Sequence, residues 1–212
     1  MIAIVDYGVG NLFSLKSSLS AIGAKAIVTG DAEVLRCADK IILPGVGAFG
    51  DAAKKLRDAG LDTVLIEEAS KGKPLMGICL GMQMLFEKSY EYGEHEGLGL
   101  IPGSVRPIDD LTDGTVKIPH IGWNVLRFPK GRAKHPVFRY INEGDFVYFV
   151  HSFCGVDCDA SLIADTDYGV PITAAVANGN VCGMQFHPEK SGKVGLRILA
   201  AFCDTDPTNY EL

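Results

Sequence analysis

The chain has 212 residues, of which 47% are hydrophobic and 22% charged, and its formal net charge at pH 7 is −6. This length and composition suit one α/β domain with a substantial core, without low-complexity or coiled-coil bias. The acidic balance argues against nucleic-acid or anionic-membrane binding, and the lack of a membrane-length apolar run or a signal-peptide pattern leads us to expect a cytoplasmic protein.

The first half of the chain alternates short apolar runs with longer amphipathic stretches. This alternation predicts a mostly parallel central sheet with helices on its faces. The predicted strands cover residues 2–5, 25–28, 40–43 and 74–78. The predicted helices cover residues 12–22, 51–59, 61–70 and, after the fourth strand, 80–86. Leucines recur at helical spacing in the first helix, which Gly23 ends.

The second half changes character and predicts additional antiparallel strands. Short strand-like runs between turn-rich stretches cover residues 116–118, 124–128, 146–150, 162–164, 172–177 and 181–186. An Asn-Gly pair between the last two runs predicts a hairpin. An amphipathic helix over 191–202, with Ser191 as its cap, closes the fold. Since no repeat or linker is visible, we expect one domain over residues 1–203 and a frayed tail over 204–212.

The segment from Gly77 to Gln83 lies where the fourth predicted strand passes into the next helix. A cysteine, Cys79, between Gly77 and Gly81 fits a nucleophile elbow, in which a sharp turn lifts the sulfur out of the sheet and only small neighbours leave room for it. The helix that follows points its N–H groups and its positive dipole end at the sulfur, which favours the thiolate. A buried structural cysteine is the alternative interpretation.

A second motif, residues 185–191, ends the last predicted strand and opens the closing helix. A cysteine nucleophile needs a base to take its proton, and the base needs a third group to orient its ring. Pro188 favours extended geometry at His187, so Glu189, two residues on, faces the same way. With Cys79, these two residues form a candidate catalytic triad; the alternative is a surface His-Pro-Glu turn.

A glycine-rich loop, residues 44–50, follows the third predicted strand and precedes a helix. Its G-x-G-x-x-G pattern suits a dinucleotide, but Asp51 would place a carboxylate where the pyrophosphate must bind. The alternative is an oxyanion hole, in which backbone N–H groups stabilise a tetrahedral alkoxide by on the order of 3 kcal/mol each. Gly45 and Gly47 allow the backbone to present one N–H, and Leu80 presents another. A purely structural loop is a third possibility.

Six cysteines in a chain of this kind are better explained as free thiols than as a disulfide framework. His151, Cys154 and Cys158 could be mistaken for part of a zinc site, but no second pair at ligand spacing completes it. We therefore expect no metal and no other cofactor.

Several segments together resemble the class I, or triad, glutamine amidotransferases. The general matches are the elbow around Cys79, the loop 44–47 and the segment 187–189. The more specific matches, to the glutaminase subunits of imidazole glycerol phosphate synthase in histidine biosynthesis, are residues 6–11, 119–124, 148–153 and 190–191. The resemblance runs from residue 1 to about residue 203 and implies the single-domain fold of that family.

The resemblance implies hydrolysis of L-glutamine to glutamate and ammonia through a γ-glutamyl thioester. Cys79 would attack, His187 would act as base and then as acid, and Glu189 would orient the ring. The oxyanion hole would comprise Gly45, Val46, Gly47 and Leu80. Gln83 and Glu91 would hold the amide and ammonium ends of the substrate, and its α-carboxylate would bind the backbone of His151, Ser152 and Phe153.

The resemblance also implies a partner, a cyclase subunit that is a (β/α)8 barrel, in a heterodimer. The ammonia would pass through the barrel interior, and the cyclase would form imidazole glycerol phosphate and an aminoimidazole carboxamide ribotide. The positions at this interface would be Asn11, His120, Trp123 and Lys190. His120 is structural or interfacial, and Trp123 has a turn-like, polar setting; a solvated lysine and a core tryptophan are the structural alternatives. The family further implies low activity until the partner's substrate binds.

Two other interpretations remain open from the sequence. One is a triad amidotransferase that serves anthranilate, aminodeoxychorismate or pyridoxal phosphate synthesis, which the Gly-Trp-Asn segment and the Asp-Tyr-Gly opening disfavour. The other is a scaffold whose triad has decayed, against which the intact Cys79, His187 and Glu189 argue. The dinucleotide-binding alternative predicts thermal stabilisation by the cofactor.

Overall fold

The computed structural model describes residues 1–112 and 114–204. Its strands are β1 (Ile2–Val5), β2 (Ala26–Thr29), β3 (Lys40–Gly45), β4 (Leu75–Cys79), β5 (Phe86–Ser89), β6 (His95–Glu96), β7 (Ile101–Pro107), β8 (His120–Val125), β9 (Phe146–His151), β10 (Phe153–Val156), β11 (Leu162–Asp167), β12 (Pro171–Asn178) and β13 (Val181–Met184). Its helices are α1 (Leu12–Ala21), α2 (Ala32–Cys37), α3 (Phe49–Asp58), α4 (Leu61–Ser70), α5 (Leu80–Met84), α6 (Asp109–Thr112) and α7 (Gly192–Cys203).

The largest sheet has seven strands in the order β11-β12-β13-β4-β3-β1-β2. The strands from β13 to β2 run parallel, whereas β12 is antiparallel to both β11 and β13. β4 and β13 are neighbours, with Met184 opposite Ile78. Cys79 and the residues 185–187 therefore leave the same edge of this sheet side by side, at the carboxyl ends of parallel strands where ligands commonly bind.

Side chains on the parallel strands alternate between two faces, and helices cover both. On β1, Ala3 and Val5 contact the apolar cluster that includes α2, α3 and α4, whereas Ile2 and Ile4 contact the cluster that includes α1 and α7. The side chains of both clusters are almost fully buried. The central sheet is thus a firmly packed platform for the loops at its carboxyl edge.

Two smaller sheets stand beside this platform. β10, β7, β5 and β6 form a four-stranded sheet, and β8 pairs with β9 as an antiparallel ribbon. In the ribbon, His120 is opposite His151 and Trp123 is opposite Tyr148. Ser152 alone separates β9 from β10, so the chain passes at this residue directly from the ribbon into the four-stranded sheet.

The predicted fold class, a mostly parallel sheet flanked by helices with antiparallel strands from the second half, is confirmed. The predicted strands of the first half match β1 to β4 within two residues at each end, and α4 has its predicted bounds. The predicted hairpin is the β12–β13 turn, where Gly179 has a φ of +58°. That positive φ is the reason why this turn uses glycine.

The predicted helix 80–86 is wrong in its second half, because α5 ends at Met84 and Phe86 begins β5. The carbonyl groups that would continue the helix have other partners: Leu98 N–H donates to Met84, and Leu100 N–H donates to Leu85. These bonds between distant segments end the helix and turn the chain into a strand, which no local pattern could indicate.

The predicted strand 116–118 is absent from the described residues. Val116 and Ile118 are apolar because they pack on a small cluster formed by Ile108, Cys154 and Ile172. The predicted strand 124–128 is displaced to His120–Val125. The sequence analysis also missed α2, whose capping residue, Asp31, accepts hydrogen bonds from the N–H groups of Glu33 and Val34.

The predicted domain limits stay predictions. Residues 205–212 of the predicted tail lie outside the described residues. Asp204, its first residue, is described, and its carboxylate pairs with Lys40 and Arg139.

Candidate active site

Cys79 ends β4 in a strained conformation. Its φ is +54° and its ψ is −115°, outside the regions that L-residues favour, and α5 begins at the next residue. Gly45 and Gly77 have no room for a side chain, because the backbone of Gly81 lies close to both. A Cβ on Gly45 would lie 2.7 Å from the Gly81 nitrogen, and one on Gly77 would lie 2.6 Å from the Gly81 oxygen. This is the geometry predicted for a nucleophile elbow.

His187 and Glu189 form a buried pair directly after β13. Nδ1 of His187 lies 2.8 Å from Oε1 of Glu189, and both side chains are 3% exposed. Burial alone would lower the pKa of His187, but interactions with Cys79 and Glu189 outweigh it and raise the pKa to about 9. Since Nδ1 binds Glu189, Nε2 is left for the sulfur. Cys79 and His187 line the same cleft, and a direct contact between the sulfur and the ring stays a prediction.

The backbone of His187 is tied to two neighbouring segments. Its N–H donates to the carbonyl of Tyr148 on β9, over 2.9 Å. Ser191 donates its hydroxyl to the His187 carbonyl over 2.6 Å and accepts the N–H of Tyr148 over 3.0 Å. Ser191 stands before the first residue of α7 but makes no capping bond to it, so its predicted capping role is wrong and it holds the histidine instead.

An open cleft of ≈ 310 Å³ lies over Cys79 and His187. The other residues that line it are Val46, Gly47, Leu80, Gln83, Glu91, Tyr92, Val150, His151, Ser152, Phe153 and Lys190. Two of the three predicted triad residues, all five predicted substrate-binding residues and three of the four predicted oxyanion residues therefore line one cavity. Glu189 lies behind the ring of His187.

The fourth predicted oxyanion residue, Gly45, lines a separate small cavity of ≈ 10 Å³, which it shares with Asn11 and Glu189. Oε2 of Glu189 is buried and has no hydrogen-bond partner among the described residues. In the glycine loop, Gly47 has a φ of +92° and Val46 is 42% exposed. Val46 and Gly47 line the same cleft as Cys79, and the oxyanion role of the loop stays a prediction.

The predicted substrate residues are fixed by buried polar contacts. Nε2 of Gln83 donates to the Phe153 carbonyl and to Oε1 of Gln185, both over 3.0 Å. The carboxylate of Glu91 accepts the N–H of Phe49 over 2.7 Å, and burial raises its pKa. His151, at the end of β9, donates from Nδ1 to the Phe153 carbonyl over 2.8 Å. These bonds join residues from four distant segments around the cleft.

The predicted interface residues fall into two groups. Trp123 is 54% exposed and lies edge-on to Tyr148, and the Lys190 ammonium lies 5.9 Å from the centre of the same Tyr148 ring. Asn11 precedes α1 and is partly exposed. Two predictions need correction: Trp123 lies on strand β8 rather than in a turn, and His120 is only 3% exposed, so its side chain is structural and forms no part of the surface.

Tyr7 and Gln185 belong to the site, although the sequence analysis assigned neither a role. Tyr7 donates its hydroxyl to the Pro44 carbonyl over 2.8 Å at the base of the glycine loop, and burial, with the nearby Cys79, raises its pKa. Nε2 of Gln185 lies 3.9 Å from the Cys79 sulfur. Its place two residues before His187, at the end of the run predicted as strand 181–186, is the signal that could have found it.

Among the residues described, no group of three or more histidine, cysteine, aspartate or glutamate side chains is placed to hold a metal ion. None of the described helices has the length and apolar character needed to cross a membrane.

Comparisons with known proteins identify relatives of the whole chain. The sequence model of the family "Glutamine amidotransferase class-I" matches residues 3–204. The imidazole glycerol phosphate synthase subunit HisH of Oceanobacillus iheyensis is 48% identical over 203 residues, which cover 95% of this chain and 98% of the relative. The protein of the same name from Aquifex aeolicus is 49% identical and covers 94% of both chains.

Solved structures share the fold at low sequence identity. A crystal structure described as a glutamine amidotransferase has a TM-score of 0.74 and 19% identity, and the match covers 96% of this chain and 98% of the other. The glutaminase domain of a Trypanosoma brucei CTPS, with bound acivicin, has a TM-score of 0.65 and 18% identity, with 97% and 94% coverage. These two likenesses concern the fold alone.

Proposed function

This chain belongs to the glutamine amidotransferase class-I family, and from that premise we propose how its cleft hydrolyses L-glutamine. The protein is the glutaminase subunit of an imidazole glycerol phosphate synthase, and the ammonia that it releases serves a partner subunit. The observation that carries the chemical proposal is the single cleft over Cys79 and His187, with Glu189 bonded to the far side of the imidazole.

In the first half of the reaction, the Cys79 thiolate attacks the γ-carbonyl carbon of glutamine. The carbonyl oxygen becomes an alkoxide, which N–H groups of Leu80 and of the Val46–Gly47 segment stabilise. The His187 imidazolium then gives its proton to the leaving nitrogen, so the C–N bond breaks and ammonia departs. A γ-glutamyl thioester on Cys79 and a neutral imidazole remain.

In the second half, neutral His187 takes a proton from a water molecule that attacks the thioester carbonyl. The C–S bond breaks, glutamate leaves, and the thiolate and imidazolium are restored. Glu189 keeps Nδ1 protonated and Nε2 facing the sulfur in both halves. A His187 pKa of about 9 suits this cycle, because the ring is charged at pH 7 and has a proton to give to the leaving nitrogen.

Substrate recognition follows from which atoms remain free. Gln83 uses both N–H groups inside the protein, so its Oε1 is the atom left to accept the carboxamide N–H of glutamine. Glu91 supplies a negative charge for the substrate ammonium, and the backbone of residues 151–153 cradles the α-carboxylate. Opposite poles at the two sides of the cleft suit a zwitterionic amino acid.

The partner is a cyclase subunit, a (β/α)8 barrel that forms a heterodimer with this chain. The surface that supports this proposal is the outer face of the β8–β9 ribbon, where Ile121, Trp123 and Phe146 are each more than half exposed. These residues and their cross-strand partners share one face of the ribbon. Val150, on the same strand as Phe146, lines the cleft, so the ribbon connects the exposed face with the site of ammonia release.

The test is turnover by the complex of this chain with the cyclase and its nucleotide substrate. Wild-type complex should form product from glutamine or from ammonium chloride. The Cys79→Ala complex should lose the glutamine-dependent reaction and keep the ammonium-dependent one. Glutamine-dependent product formation by Cys79→Ala would refute the proposed chemistry. The chain alone should hydrolyse glutamine poorly, and high activity in isolation would refute its activation by the partner.

The interface proposal has a separate test by affinity measurement. Trp123→Ala should weaken binding to the cyclase by about tenfold, since exposed aromatic residues dominate many interfaces. Ile27→Ala is the matched control, because Ile27 is an exposed apolar residue on β2, at the far edge of the central sheet. Equal affinities of the two variants would contradict the proposed surface.

A further inference from the structure

Gln185 is fully buried beside the reacting sulfur and has no part in the mechanism described so far. It follows β13 and points its amide group between Cys79 and Gln83. A buried amide next to a nucleophile has two possible orientations, with the N–H or the C=O toward the sulfur. Only the first would stabilise a thiolate, so the orientation decides whether Gln185 has a chemical role.

The contacts of the amide determine that orientation. The Phe153 carbonyl can only accept hydrogen bonds, so the Gln83 atom that lies 3.0 Å from it must be the nitrogen. The same nitrogen lies 3.0 Å from Gln185, whose facing atom must then be Oε1. This leaves Nε2 of Gln185 toward the sulfur of Cys79, at 3.9 Å. Turning either amide over would place two acceptors or two donors against each other.

Two histidines hold the Phe153 carbonyl in place. Nδ1 of His151 donates to it over 2.8 Å, so Nε2 of His151 is the acceptor for Nδ1 of His120, 3.0 Å away. Burial lowers the pKa of His120 to about 4 and that of His151 to about 3, so both rings are neutral at pH 7 and each has a single N–H. Each ring therefore has one possible tautomer, and the donor and acceptor of every bond from His120 to the sulfur are determined, with His151 and Gln83 both donating to the Phe153 carbonyl.

Among the described residues, a second polar group besides Gln185 lies within hydrogen-bond distance of the sulfur. The Val150 carbonyl lies 3.9 Å from it and can only accept, so it offers nothing to an anion. Gln185 is thus the donor that complements His187 in the surroundings of the sulfur. Hydrogen bonds to an ionised group are stronger than those between neutral groups.

We propose that Gln185 is a further catalytic residue, whose amide N–H donates a hydrogen bond to the Cys79 thiolate, and that Gln83 and the His120–His151 pair are positioning residues for it. The proposal rests on the proposed function only in taking Cys79 as the nucleophile. It distinguishes Gln185 from a residue that merely fills space, because a space-filling side chain would leave the thiolate population unchanged.

The test is the rate at which iodoacetamide alkylates Cys79 in the purified chain, followed by mass spectrometry of the peptide that contains it. At pH 7, Gln185→Met should slow alkylation about tenfold, since a lost hydrogen bond to a charged group lowers the thiolate fraction. At pH 10, above the ordinary pKa of cysteine thiols, the two rates should agree within about twofold. Cys37, which is exposed, is the reference thiol on the same molecule.

Gln83→Met tests the positioning role, because it removes the partner of the Gln185 oxygen but keeps the Gln185 N–H. It should slow alkylation at pH 7 less, by about threefold. Should Gln185→Met fail to fold, the double variant Gln83→Met/Gln185→Met replaces it. This variant removes both amides, so neither is left unpaired, and its alkylation rates at pH 7 and pH 10 can be compared with those of the wild type. Equal wild-type and variant rates at pH 7, or a loss of equal size at both pH values, would overturn the proposal.

Iodoacetamide does not require glutamine binding, so this experiment can be interpreted even when glutaminase activity is absent. A chain that shows the predicted alkylation pattern but no glutamine turnover would refute the proposed function and leave the role of Gln185 standing. A chain that turns over glutamine but shows no effect of Gln185→Met would refute the role of Gln185 and leave the proposed function standing.

Discussion

The cleft has two walls that the chain builds in different ways. The sheet wall (Cys79 and His187, with Glu189 behind the imidazole) stands at the ends of two parallel strands whose register brings the residues together. The turn wall (Glu91 and residues 151–153) comes from the loop after β5 and from the junction of β9 with β10, and long-range hydrogen bonds hold it. Backbone ladders therefore fix the reacting groups, whereas side-chain contacts fix the substrate-binding groups.

This difference separates the expected effects of substitutions. Changes in the sheet wall remove interactions that form in the transition state and should lower kcat. Changes in the turn wall remove interactions that substrate and transition state share, and should raise KM. Each of the following predictions tests this division between effects on kcat and effects on KM.

The largest effect should come from His187→Asn in the sheet wall. The variant loses the proton transfer to and from the substrate, so kcat for glutamine should fall by at least ~10³-fold while KM stays within a few fold. Steady-state glutamate release by the complex measures both constants. A large rise in KM with little change in kcat would break the division between the walls.

Glu189→Gln should have the next largest effect and lower kcat by about 10²-fold. The ring loses its charged partner, but the backbone hydrogen bond from His187 to Tyr148 remains. The pKa of His187 should fall from about 9 toward its ordinary value, as measured by NMR titration of the ring.

The same pKa has a consequence for stability. Because the pKa is raised in the folded protein, the stabilisation by charged His187 is complete below about pH 6.5 and is lost as the pH rises toward 9. Denaturant unfolding of the wild type should show this loss, and Glu189→Gln should show less of it. An unchanged His187 pKa in the variant would refute the role of the glutamate.

Glu91→Gln tests the turn wall. Removing the charge that faces the substrate ammonium should raise KM for glutamine about tenfold or more and leave kcat within a few fold. Glu94→Gln is the matched control, since Glu94 is exposed and pairs with Lys88. A fall in kcat of the size seen for Glu189→Gln would place Glu91 in the chemistry rather than in binding.

The smallest effect should come from His120, which acts on the turn wall only through His151. His120→Phe keeps a ring that can stack on Phe149 and Tyr168 but loses the N–H, and it should raise KM by about threefold. His120→Asn retains a donor near the position of Nδ1 and should restore part of the loss. Equal KM values for the two variants would show that packing, not the hydrogen bond, is what matters.

The two walls also differ in how far the sequence predicts them. Glycines around Cys79 and the spacing from His187 to Glu189 are local signals. They predict the sheet wall because the parallel register of β4 and β13 places the two motifs side by side. For the turn wall, only the family resemblance predicts Glu91 and residues 151–153. Gln185 is 102 residues from Gln83 and 106 from Cys79, so nothing local indicates the bonds that join them.

The errors have the same physical origin. Helix 80–86 stops early because distant N–H groups take its carbonyls, and His120 is buried because a ribbon partner and two aromatic rings cover it. Both outcomes depend on contacts between segments far apart in the chain, which periodicity and capping signals do not encode. The sheet core, by contrast, follows the apolar pattern closely.

The most direct test of the account is to locate the adduct formed by a glutamine-analogue electrophile in the complex of this chain with its cyclase. Mass spectrometry should find one adduct per chain, on Cys79, and L-glutamine should protect against it. No adduct on Cys79, or an adduct on another residue of a complex that turns over glutamine, would contradict the assignment of this sulfur as the nucleophile.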